Sequence, residues 1–246
     1  MDPAPKDLIV RPGDFFRDLA AAPAAYRIPA LIILVWGIFT AIHTFLVVSW
    51  MTGTFLQAYP HQQGMEILTG IFTVISVMAS VFSVPMAFVY WGVAAFGLYL
   101  VSSIFSRTGS IWHTLTATAW GMIPLVVCDA IQVPVFLLYR NVMAVTISPE
   151  FVNLTLNGHA AGSPPLSSMS SAELAKYISF NPAFHEYTII SFMIFAIGLL
   201  GCSWFWFHAL QHTRSLTPRQ AAISVLAPVV LFLGVMLASR ILNGWA

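Results

Sequence analysis

RTGSIWHTLTATAWGMIPLVVCDAIQVP, Arg107 to Pro134, holds an aspartate, a glutamine, four threonines and two prolines in a background apolar enough to cross a membrane. Steps of three or four residues place Thr114, Thr118, Gly121, Leu125, Asp129 and Gln132 along one helical stripe. The polarity is therefore a face of a helix, and the stretch reads as a span from about Trp112 to Tyr139. Of nine acidic residues Asp129 alone lies deep in a span, where an aspartate costs about 2.5–3.5 kcal/mol on insertion scales. It must face protein or water, not lipid. Two readings stand: Thr118, Asp129 and Gln132 line a path for a solute, proton or lipid headgroup, or they tie the bundle together, with Asp129 neutral or hydrogen-bonded to a neighbouring span. No span shows a basic partner for Asp129. Pro124 and Pro134 leave carbonyls without helical donors, which predicts either a packing kink or a discontinuous helix of the transporter kind.

The rest of the chain has the same character. It has 246 residues, 59% of them hydrophobic and 8% charged, against about 25% charged in a soluble domain, and its mean hydropathy is +0.84. This predicts an all-α polytopic membrane protein surrounded by the lipid bilayer. A net charge of +1 with scattered basic residues excludes nucleic acid as a partner, because counterion release needs a dense basic surface. The two cysteines, Cys128 and Cys202, both fall in apolar runs, where a thiol behaves as a small hydrophobe; neither a disulfide nor a cysteine metal site is expected. The first apolar run starts too late and runs too long for a cleaved signal, and no lipidation motif is present.

Residues 1–27 form a cytoplasmic segment in which Phe15, Phe16 and Leu19 share one side of a short helix, a pattern suited to lying on the membrane surface. A single transmembrane domain, 28–246, follows. Its first span is 28–50, with Trp50 and Tyr59 near the far interface, and the linker 51–66 holds no Lys or Arg and reads as external. The run 67–105 is too long for one ordinary span and barely long enough for two. It reads as one long, tilted helix kinked at Pro85, with a two-span hairpin as the alternative. Beyond 112–139, the loop 140–184 contains NGHAAGSPPLSSMSS and then Ser170 and Glu173 spaced as a capping box before a short helix. Spans 185–211 and 219–241 are separated by HTRSLTPRQ, where Thr217 caps and Pro218 starts the last helix. With five spans, Lys6, Arg11, Arg17, Arg27, Arg107, Arg214 and Arg219 are cytoplasmic and Arg140, Lys176 and Arg240 external, which obeys the positive-inside rule. Six spans give the same seven-to-three ratio, so charge places the N-terminus inside and leaves the parity open.

Other chemistry is sparse. His208 and His212 are four residues apart, and five spans bring His113 to their level, making these three the candidate metal ligands; two imidazoles on one face are not a site, and no Cys or carboxylate at suitable spacing joins them. His43 reads as a hydrogen-bonded packing residue. Gly198 with Gly201, and Gly234 with Ala238, are spaced for close helix approach. Asn153, Leu154 and Thr155 form a glycosylation-type sequon in the external loop. No phosphate-binding loop, zinc-protease helix or catalytic triad is present, and neither a catalytic residue nor a cofactor is expected.

Three stretches carry a family likeness. RPGDFFRDL (Arg11–Leu19), FSRTGSIWHTLTATAWGMIP (Phe105–Pro124) and ALQHTRSLTPRQAAISVLAPVVL (Ala209–Leu231) resemble the entry segment, middle signature and last basic connection of the Yip (Ypt-interacting protein) domain family, in particular its prokaryotic branch. The resemblance runs from about Leu8 to Gly234 and implies five spans, a cytoplasmic N-terminus and one long second span; the loop 140–184 is longer than the family's usual connection. It implies no catalytic residue. The expectation is a multi-pass protein of a prokaryotic cytoplasmic membrane with a non-enzymatic membrane-organising, trafficking-like or partner-binding role, its partners being lipid, further copies of itself or other membrane proteins. The alternatives are a transporter or flippase using the polar path around Asp129, and an accessory subunit of a larger membrane complex.

Overall fold

A computed structural model describes residues 5–58, 65–148 and 178–242 of the chain. Among these lie α1 (Pro5–Val10), α2 (Pro12–Ala21), α3 (Arg27–Ala58), α4 (Met65–Ser103), α5 (Ile111–Gly121), α6 (Ile123–Tyr139), β1 (Val145–Ile147), β2 (Ile178–Phe180), α7 (Pro182–Thr213) and α8 (Pro218–Leu242). Five stretches are long and apolar enough to cross a membrane, one each in α3, α4, α7 and α8 and one formed by α5 with α6. Tyr59, the sequon at Asn153 and the capping box at Ser170 lie outside the described residues.

The run 67–105 is one helix, so the hairpin does not form. Pro85 sits inside α4, and on the turns before it Ser76, Ser80 and Ser83 donate their hydroxyls to the carbonyls of Phe72, Ser76 and Ala79 at 2.8, 2.7 and 2.9 Å. Such back-bonding hides a serine's polarity in an apolar helix. α3 lies along α4 and approaches it tightly at Gly37, where a Cβ would stand 3.0 Å from Val84 Cα, so a larger residue would push the helices apart by a few tenths of an ångström. α3 also runs to Ala58, past the expected end at Trp50, because Thr52 and Thr54 fold their hydroxyls back onto Val48 and Trp50.

The opening stretch is two helices, not one. Met122 N–H turns to the Ala119 carbonyl at 3.0 Å, while the Thr118 carbonyl receives Trp206 Nε1–H at 3.1 Å. Pro124, with no N–H of its own, starts the second helix. Gly121 makes room for the inserted indole, since a Cβ there would fall 2.3 Å from Trp206 Cδ1. Gly198 and Gly201 of α7 abut Cys128 and Pro124 of α6 in the same way, whereas a Cβ at Gly234 meets nothing within 4 Å.

The core lies between α4, α5, α6, α7 and α8, around Trp91, Leu98, Met122, Leu125, Leu199, Trp206 and Val229. Other indoles also cross between elements, Trp91 to the Leu115 carbonyl and Trp50 to the Arg140 carbonyl, both at 2.9 Å. The side chain of Asn181 caps α7 at Phe184 N and bonds Ala144 N and the Val142 carbonyl. It closes the antiparallel pair β1–β2, registered Val145 to Phe180, a small addition to the all-α architecture.

At the opposite end Arg214 is 1% exposed. Its guanidinium donates to the carbonyls of Gly109 and Ser106, both at 2.7 Å, and to Ser103 Oγ at 2.9 Å, and lies 4.4 Å over the Tyr99 ring. It fastens the α4–α5 connection to the end of α7.

The N-terminal segment differs from a helix lying in lipid. Phe15 and Phe16 are 1% and 0% exposed, packed with Leu8 against Ala117, Trp120 and Ala209 of α5 and α7. Small residues beside Trp120 leave a hollow that two phenyl rings fill, and burying each contributes about 1.5–3 kcal/mol. The apolar face of α2 is thus covered by the bundle, and Ile9 and Val10 of α1 remain open.

Candidate functional site

Asp129 stands on α6 facing α3. Its Oδ2 accepts Trp36 Nε1–H at 2.9 Å and the Thr40 hydroxyl at 2.6 Å. Trp36 and Thr40 are one helical turn apart, so one face of α3 presents both donors. Oδ1 meets only Gln132 Nε2, at 3.5 Å and one turn further along α6. Among the described residues the ion pairs are those of Arg17 with Asp14 and Asp18, and none reaches Asp129.

The carboxylate is also part of a wall. A cavity of about 640 Å³ lies between α3, α4, α6 and α7, with Met236 of α8 at its margin; Asp129, Thr40, His43, Gln132, Tyr187 and Ser191 supply its polar groups. His43 Nε2 and Tyr187 Oη, 2.6 Å apart, bridge α3 and α7 within it. A second cavity of about 570 Å³ continues toward the Arg214 end, lined by Ala94, Gly97, Leu98, Leu125, Leu199 and Val229 among others. Trp36, Tyr90 and Phe195 belong to both linings and so form the partition. Phe82, Tyr90 and Val93 of α4 and Phe232 of α8 are wall residues and are exposed. Neither chamber is fully enclosed by protein. Volumes of this size match small-molecule sites, about 300–1,000 Å³.

Of the residues nominated from the sequence, Asp129 and Gln132 meet in the polar chamber and Thr118 does not. Its hydroxyl folds onto the Thr114 carbonyl at 2.7 Å and its side chain is buried beneath the α5–α6 break. The break at Met122 interrupts the helix, so a stripe drawn on one continuous helix does not run through it. Trp36 and Thr40 were missed. With His43 and Val47 they form a stripe on α3 at steps of four, three and four, a signal of the same kind as the one on α6.

The histidines are dispersed. His113 Nε2 lies 3.1 Å from the Ala22 carbonyl, which only accepts, so this nitrogen carries the proton and Nδ1 accepts from the Ser110 hydroxyl at 2.9 Å. Both ring nitrogens are thus engaged within the protein. His208 and His212 face Gly13 of α2, whose Cβ position is 3.7 Å from His208 Nδ1 and 3.9 Å from His212 Nε2. No group of three His, Cys, Asp or Glu residues comes together among the described residues.

Comparison with known proteins agrees with this architecture. An uncharacterized protein of the archaeon Methanocaldococcus jannaschii is 28% identical over 136 residues, covering 55% of this chain and 90% of its own. No solved structure matches. The Yip1 domain matches residues 6–239, from the first turn of α1 to the last turns of α8. A match over nearly the whole chain, joined to five membrane-spanning stretches, establishes that this protein belongs to the Yip1 domain family of multi-pass membrane proteins.

Proposed function

We propose that this Yip-family protein is a non-enzymatic membrane-organising protein that acts by binding, and that what it binds within the bundle is an amphiphile from the surrounding bilayer. The supporting observation is the chamber walled by Asp129, which shares the wall residues Trp36, Tyr90 and Phe195 with an adjoining apolar chamber. Adjoining polar and apolar chambers match a molecule built the same way. The seven basic residues assigned inside by the positive-inside rule favour a prokaryotic cytoplasmic membrane with α1 and α2 on the cytoplasmic face. Gly97 lines the apolar chamber and has nothing within 4 Å of its Cβ position, so Gly97→Phe adds bulk to the chamber wall with no contact at its Cβ.

Mass spectrometry of the full chain, delipidated in maltoside micelles, tests the reading. Lipid should be retained by the wild type and lost from Gly97→Phe; a wild type that retains none refutes it, as does substrate turnover by the purified protein alone. A second reading, transport through Thr40, Asp129 and Gln132, is favoured by the stacking of the two chambers along the helices. It requires liposome flux that Asp129→Asn abolishes. As an accessory subunit, the protein would instead co-purify with membrane partners in mild detergent.

A further inference from the structure

We propose that the ligand is a cationic amphiphile: an ammonium headgroup held against Asp129 in the polar chamber, with its hydrocarbon chain in the apolar chamber. This rests on the amphiphile-binding reading above and names the headgroup. The acid has two oxygens in unequal circumstances. Oδ2 takes both donors from α3 at 2.6 and 2.9 Å, while Oδ1 keeps only the 3.5 Å approach of Gln132. Oδ1 is therefore the open acceptor.

Charge points the same way. Among the described residues no lysine or arginine lines either chamber, and the imidazole in the polar chamber, His43, is turned to Tyr187. An acid within the spans lacks a protein cation, and a ligand that brings one supplies the missing partner where the low dielectric makes the attraction strong. The rings of Trp36 and Tyr90, centroids 6.5 Å apart, stand in the partition beside the carboxylate, and aromatic faces attract ammonium groups. An anionic headgroup finds the reverse: repulsion from Asp129 and no cation. The apolar chamber has room for chain, and the Trp36 and Trp206 indole hydrogens in its lining are engaged with Asp129 and the Thr118 carbonyl.

The experiment uses the full chain in maltoside micelles, with dodecylammonium, dodecanol and dodecyl sulfate as probes. Binding is measured calorimetrically against empty micelles. Dodecylammonium should bind about ten- to a hundredfold more tightly than dodecanol, the range expected of a charge-assisted hydrogen bond, with dodecyl sulfate weakest. Asp129→Asn should abolish the preference for dodecylammonium over dodecanol, and Gly97→Phe should weaken both. Equal binding of ammonium and alcohol by the wild type, or a preference that survives in Asp129→Asn, overturns the cationic assignment while dodecanol binding keeps the amphiphile reading. Failure of the wild type to bind any probe overturns both. Should Asp129→Asn not fold, the wild-type comparison still decides.

Discussion

Replacing Arg214 should loosen one end of the bundle more than any other single polar change. Its guanidinium makes three hydrogen bonds, at 2.7, 2.7 and 2.9 Å, to groups on the α4–α5 connection, and hydrogen bonds from charged donors are worth about 1.5–3 kcal/mol each. The gross figure is not the net effect. Among the described residues no carboxylate pairs with Arg214, so removing it also removes the desolvation penalty of a buried cation. We expect Arg214→Met to lower stability by about 3 kcal/mol, chiefly through the unsatisfied acceptors it leaves on Gly109, Ser106 and Ser103. Arg214→Lys keeps the charge but cannot span three acceptors as a planar fork does. It should recover less than half of the loss. Reversible unfolding in mixed micelles gives the free energies, and hydrogen exchange at 104–110 locates the change. Both variants lying within about 0.5 kcal/mol of the wild type would refute the argument that this arginine is a latch.

Three further variants test the packing. Gly121→Ala places a Cβ 2.3 Å from Trp206 Cδ1 and should cost about 1–3 kcal/mol by overpacking, while Gly234→Ala, with open space at its Cβ, should change stability little in the same unfolding assay. Phe15→Ala with Phe16→Ala should free α2 from Trp120 and Ala209, and exchange across 12–21 should rise while α7 stays protected.

The spans were legible because a hydrocarbon core demands about 20 apolar residues and any local window reveals them. Their ends were not: Thr52 and Thr54 look like linker until their hydroxyls are seen folded onto α3 itself. The cost of burying Asp129 marked it out from sequence alone, and Gln132 followed by helical spacing. Trp36 and Thr40 sit on another span, and periodicity carries no information about which stripes face each other. Pro124 announced a disturbance in the third span. That a tryptophan more than 80 residues later enters the break belongs to tertiary packing, and this insertion removes Thr118 from the site. The phenylalanines of α2 read as amphipathic correctly, but an apolar face suits lipid and a protein hollow equally well, so the bundle's claim on it was invisible.

The length of α4 has a mechanical consequence. Its apolar part, Thr69–Ser103, counts 35 residues, about 52 Å at about 1.5 Å per residue, against a hydrocarbon core of roughly 30 Å. A helix so mismatched must lean steeply, thicken the bilayer around it, or do both. Because α4 forms one wall of both chambers, its lean sets how far that wall stands from α6 and α7. A thinner membrane tips α4 further and a thicker one draws it upright, so the depth of the surrounding bilayer is a dimension of the two chambers.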